Sequence, residues 1–157
     1  MLKTDLHKKY PPSPPCGCDI CRAFCRRPGW WSVAQAGAAL RGGLGRRMML
    51  EVAPERTYAV LSPAFRGCEG KLATQAYANK GCTFLGEDDS CELHASPYLP
   101  LECAFCHHER AGMGKLCHSD LQADWRTPEG RQLVRAWCRQ TGWWNVLGVF
   151  GLDNLKK

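Results

Sequence analysis

Eleven cysteines in 157 residues constrain this chain more than any other feature. Their spacing is uneven. Cys16, Cys18, Cys21 and Cys25 crowd into one short stretch as Cys-x-Cys-x2-Cys-x3-Cys. A looser group follows: Cys68, Cys82, Cys91, the Cys103-x2-Cys106 pair, and Cys117 next to His118. Thiolates bind soft and borderline metals, and one centre takes about four protein ligands. A two-residue gap lets two sulfurs face one ion from a single tight turn. An odd number of cysteines leaves one thiol over in any framework built only of disulfides. The opening stretch Met-Leu-Lys-Thr-Asp-Leu-His-Lys-Lys is polar and lacks the apolar core of a signal peptide. Disulfides are rare in reducing compartments, so the expectation is a cytoplasmic protein that uses its cysteines for metal or thiol chemistry.

The candidate ligands are Cys16, Cys18, Cys21, Cys25, Cys68, Cys82, Cys91, Cys103, Cys106 and Cys117. Cys138 is read differently. It falls on the apolar side of a helical pattern beside Trp137, where a thiol behaves as a small buried apolar group. His107, His108 and His118 stand next to Cys106 and Cys117. They can complete a metal site, activate a thiol, or bond the backbone around one.

Apolar residues make up 45% of the chain and charged residues 23%, which fits one folded domain and excludes a mostly disordered one. No apolar run reaches the roughly 18 residues that a membrane span needs, so no membrane partner is expected. Residues 1–15 read as an extended N-terminal tail ending in Pro11-Pro12-Ser13-Pro14-Pro15. Residues 16–142 read as the cysteine-cluster domain, and 143–157 as a C-terminal segment.

Within the domain, Ser32 and Gln35 make a capping box for a helix over 33–41, which Gly42-Gly43 ends. Residues 57–61 are strand-forming and bounded by Pro54 and Pro63. Residues 82–85 and 91–94 flank a turn-like 86–90 and predict a hairpin with a cysteine in each strand. Thr127-Pro128 starts an amphipathic helix with Leu133, Val134, Trp137, Cys138 and Thr141 on one side, and Gly142 stops it. The fold class expected is α+β: a small, irregular, cysteine-rich domain, with a few helices and a short hairpin organised around one or two metal sites.

Other chemistry is thin. Asp120, Asp124 and Glu129 form no acid/base pair and read as solvated helix-face charges. Gly42-Gly43-x-Gly45 lacks the lysine of a phosphate loop. Between residues 16 and 50, six arginines face one acid, Asp19. With Trp30-Trp31 nearby, that balance suits either a nucleic-acid surface or compensation of thiolates. The second is preferred. The net charge of +6 counts every cysteine as neutral, and four thiolates on a metal centre would lower it by about 2 per site.

Four segments occur in a recognisable order: Cys18-Asp-Ile-Cys21-Arg-Ala-Phe-Cys25, then Gly81-Cys82-Thr83-Phe84-Leu85, Cys91-Glu92-Leu93-His94, and Pro100-Leu101-Glu102-Cys103. Over residues 16–106 the chain thereby resembles the CxxCxxCC cysteine-cluster family of zinc- or iron-chelating domains. That resemblance implies Cys18, Cys21, Cys25, Cys82, Cys91 and Cys103 as ligands, and His94 matches a family position. Flagellin lysine methylases in the family are thought to hold an iron–sulfur cluster. The chain departs from the pattern in lacking its adjacent cysteine pair and in adding Cys16.

The cofactor expected is an iron–sulfur cluster, [4Fe–4S] by cysteine abundance and the methylase branch, or Zn²⁺ on two short hooks such as Cys18/Cys21 and Cys103/Cys106. The Cys-x3-Cys-x2-Cys order of radical S-adenosylmethionine enzymes is absent. Three functions follow: a metal-binding protein with a structural or redox centre, a methylase-like group-transfer enzyme, or a zinc-stabilised adaptor for a protein partner or, less expected, nucleic acid.

Overall fold

Short-range polar signals start the helices of this chain, and a tryptophan-rich core holds them together. The computed structural model describes residues 5–110 and 112–157. Among these, the helices are α1 (Leu6–Lys9), α2 (Asp19–Arg26), α3 (Val33–Arg41), α4 (Leu101–Phe105), α5 (Gly114–Trp125) and α6 (Pro128–Thr141). The strands β1 (Met48–Val52) and β2 (Ala59–Pro63) form one antiparallel hairpin with Met48 opposite Pro63 and Leu50 opposite Leu61. The architecture is α+β. No helix among the described residues is long and apolar enough to cross a membrane.

Both capping predictions hold. Ser32 Oγ accepts from the Gln35 N–H and Gln35 Oε1 accepts from the Ser32 N–H, each at 3.2 Å, which satisfies two end donors of α3 reciprocally. Thr127 Oγ1 accepts from the Gly130 N–H at 3.2 Å, and Gly142 leaves α6 at φ +85°, the left-handed conformation glycine adopts without strain. Val134, Trp137 and Cys138 put the buried face of α6 into the core.

The core is built round Trp31, Trp125 and Trp137, all fully buried. Their indole N–H groups find carbonyls of Tyr98 (2.7 Å), Trp31 (2.9 Å) and Gly45 (2.8 Å), so large rings are buried without an orphaned donor. Trp30 is 8% exposed and Trp31 0%, so the pair presents no open aromatic surface for successive bases.

Two sequence expectations change. The hairpin predicted over 82–94 is reduced to a single bridge between Leu85 and Cys91, closed by Gly86 N to Ser90 O (2.7 Å) and Glu92 N to Phe84 O (2.9 Å). It goes no further because Cys82 bridges Phe65 instead and Thr83 N donates to Ala64 O at 2.8 Å. Backbone groups committed to that segment cannot extend the ladder. Asp124 is also not a solvated charge. It is buried, and its Oδ2 accepts from the Val33 N–H at 2.8 Å, answering another donor at the start of α3.

The stretch ahead of Cys16 lies against the domain. Tyr10 is buried, its hydroxyl donates to Asp120 Oδ2 at 2.5 Å, and Lys9 Nζ pairs with the same oxygen at 2.7 Å. Ser13 N donates to Ala104 O at 2.8 Å, and Arg110 donates to Pro11 O at 2.6 Å. Past α6 the chain runs in short turns that bury Leu147, Leu152 and Leu155.

The bonds from Lys9 and Tyr10 hold the Asp120 carboxyl below its usual range. A carboxyl depressed in the folded state stabilises above its unfolded value, about pH 3.9, and loses that contribution as pH falls through the folded one. Amide-exchange protection of residues 6–10 is therefore expected to be constant from pH 7 to 5 and to collapse below about pH 3.9. Asp120→Asn is expected to remove that step.

Candidate metal centre

The first site starts at a helix end. Cys18 is the N-cap of α2, in extended conformation, and its Sγ accepts from the Cys21 N–H at 3.4 Å. That bond, at the positive end of a helix, brings the Cys18 thiol down to about 7. Cys21 follows in the first turn, so both sulfurs lie at the same end of α2. Its thiol moves the other way, pushed up to about 11 by burial. Cys16 arrives along the proline strap that Ser13 and Arg110 fasten to the α4 region.

The fourth group comes from far along the chain. His108 lies in the turn after α4, and its Nδ1 stands 3.6 Å from Cys16 Sγ, 3.4 Å from Cys18 Sγ and 3.3 Å from Cys21 Sγ. All four ligand atoms lie within 4.8 Å of one another. A tetrahedral ion with bonds of about 2.3 Å to sulfur and 2.0 Å to nitrogen has sulfur–nitrogen edges of about 3.5 Å. The donor set therefore fits one four-coordinate metal ion. His107 backs the site: it is buried, its Nδ1 accepts from the Glu109 N–H at 3.1 Å, and its ring lies 4.1 Å from that of His108.

The remaining candidates fall into other places. Cys25, Cys82, Cys91 and Cys103 line one narrow apolar cleft with Leu85, Leu93 and Leu99. Burial pushes Cys82 up to about 11 and raises Cys25 and Cys103, and their mutual repulsion adds to the effect. Gly29 makes the approach of Cys103 possible, since a Cβ at that position would stand 2.6 Å from the Cys103 Sγ. Cys106 joins Cys16, Cys21, Cys25 and Cys103 around a cavity of about 170 Å³ beneath the proline strap.

Cys117 is fully buried on α5, and burial pushes its thiol up to about 12. Cys68 packs with Met49, Ala64 and Phe65 in a small apolar cluster of its own. Cys138 lies in the main core. His94 borders the cysteine-lined cleft, whereas His118 donates from Nδ1 to Glu102 Oε2 at 2.8 Å.

No motif in the sequence singled out Glu51, which lines a cavity of about 410 Å³ together with Arg27 and Glu102. The available signal was Glu51 itself, a lone carboxylate inside the apolar run Met48-Met49-Leu50-Glu51-Val52. Compared with family models, curated proteins and solved structures, the chain matches none of them.

Proposed function

We propose that this protein is a metal-binding domain in which Cys16, Cys18, Cys21 and His108 hold one structural Zn²⁺. The observation that carries the reading is the convergence of three sulfurs and an imidazole nitrogen within 4.8 Å. Three thiolates and a neutral imidazole complete a tetrahedron and leave no open position for a reacting water, as in structural zinc sites. A four-iron cluster, by contrast, puts each ligand on a different iron and spreads the sulfurs to roughly 6 Å. Once bound, the ion neutralises thiolates and cross-links the strap and α2 to the turn after α4.

A separate observation favours a second, all-cysteine site. Cys25, Cys82, Cys91 and Cys103 line one apolar cleft. Iron–sulfur centres are held by cysteine thiolates, so an all-cysteine set suits one, and its four members are among the ligands implied by the resemblance to the cysteine-cluster family.

Anaerobic purification, with zinc, iron and acid-labile sulfide measured per chain beside a visible spectrum, tests both. One zinc per chain, lost in Cys21→Ser, is expected for the first site; full zinc content in that variant overturns it. A brown protein whose sulfide disappears in Cys91→Ser supports the second site, and a colourless, sulfide-free protein refutes it.

A further inference from the structure

The 410 Å³ cavity lies outside the Cys16–His108 group and within the size range of small-molecule pockets. Phe24, Trp30 and Phe65 give it aromatic walls, and four charged side chains face it: Arg27, Glu51, Glu102 and His118. Two of these satisfy each other. Glu102 Oε2 accepts from His118 Nδ1 at 2.8 Å, Glu102 Oε1 accepts from the Trp30 N–H at 3.0 Å, and the Trp30 ring lies 4.2 Å from the imidazole. That wall is fixed and internally neutralised.

The other two charges form no ion pair among the described residues. Glu51 accepts hydrogen bonds from neutral donors, the Ser62 hydroxyl at 2.8 Å and the Trp30 indole, and the cation that acts on it is His118, which Glu102 already holds in a hydrogen bond. Loss of solvent raises its carboxyl above the usual range, with the Glu102 carboxylate adding to the rise and His118 opposing it, so one imidazole is shared by two carboxyls. Arg27, exposed where α2 ends, has neither an ion pair nor a side-chain hydrogen bond among the described residues. A carboxyl that shares its one cationic neighbour with Glu102 and an exposed guanidinium thus border one aromatic cavity with no ion pair between them. A charge held in a partly desolvated wall is stabilised by an opposite charge, and a guanidinium is well shaped to take a carboxylate on two N–H groups.

We propose that this cavity binds a small zwitterion of the amino-acid class, its ammonium on Glu51, its carboxylate on Arg27 and its side chain against Phe24, Trp30 and Phe65. This goes beyond metal binding and does not depend on it.

The test uses the full chain as purified, with L-phenylalanine and L-methionine as probes in calorimetry and in NMR of the Trp30 indole. Phenethylamine and 3-phenylpropionate, each carrying one of the two charges, serve as comparisons. At least one amino acid is expected to bind with a Kd below ~10 mM, and both half-charged analogues at least about tenfold more weakly. Glu51→Gln and Arg27→Gln should each cost about tenfold in affinity while metal content is unchanged. Arg27 is exposed, so that variant keeps the test open even if Glu51→Gln fails to fold. The proposal is overturned if neither amino acid binds below ~10 mM. It is equally overturned if the half-charged analogues bind as well, or if Arg27→Gln leaves affinity unchanged.

Discussion

Cys18→Ser is expected to weaken zinc binding by more than the roughly 10–100-fold that supporting residues cost, because it removes a direct ligand. Serine isolates that effect. The Cys18 sulfur also caps α2 by accepting from the Cys21 N–H, and a serine hydroxyl is a better helix cap than most side chains. The helix start is therefore kept while the thiolate is lost. Metal that binds only the folded state stabilises it in proportion to the logarithm of its excess over Kd, about 4 kcal/mol at a thousandfold excess. The melting temperature of the native chain should rise with added zinc, and that of Cys18→Ser should not.

Chelation is expected to act locally. The Cys16, Cys18 and His108 side chains lie outside the main core, whereas α5 and α6 bury Trp125 and Trp137 in it. Hydrogen exchange should show residues 11–26 and 106–110 losing protection on metal removal while α5 and α6 keep theirs. Cys138→Ala, altered in the core alone, should retain full zinc content. Equal chelator competition by native protein and Cys18→Ser would sink the assignment.

Trp31→Ala carries the largest expected loss of stability, about 3–5 kcal/mol. The ring is fully buried, meets Phe84 edge-on at 6.4 Å between centroids, and donates from its indole to Tyr98 O at 2.7 Å. Truncation leaves a cavity and an unanswered carbonyl together. Domains of this size are stable by about 5–15 kcal/mol, so the variant should unfold at markedly lower urea concentration. Phe150→Ala, at a ring 48% exposed, provides the contrast and should cost less than about 1 kcal/mol. A Trp31→Ala midpoint close to that of Phe150→Ala would show that the core is not organised around this indole.

Much of the local structure was legible from the chain itself. The Ser32 and Thr127 caps, the glycine after α6, the apolar face of Val134, Trp137 and Cys138, and the pairing of Cys18 with Cys21 at one helix turn depend on residues three or four apart. At that distance backbone geometry leaves few choices, so residue type alone predicts the contact.

The rest depends on which segments the fold brings together. His108 stood in the sequence as one of three histidines beside cysteines. Its selection comes from a contact across 92, 90 and 87 residues to Cys16, Cys18 and Cys21. The same holds for Cys82, which pairs with Phe65 rather than extending a hairpin, and for Asp124, drawn from an expected solvated face to the start of α3. Spacing announced that this chain gathers thiolates; only tertiary packing decided which four donors converge. The reason is physical. A short turn determines the direction of two neighbouring sulfurs, whereas a tetrahedron needs donors from segments whose meeting is set by burying the tryptophan core.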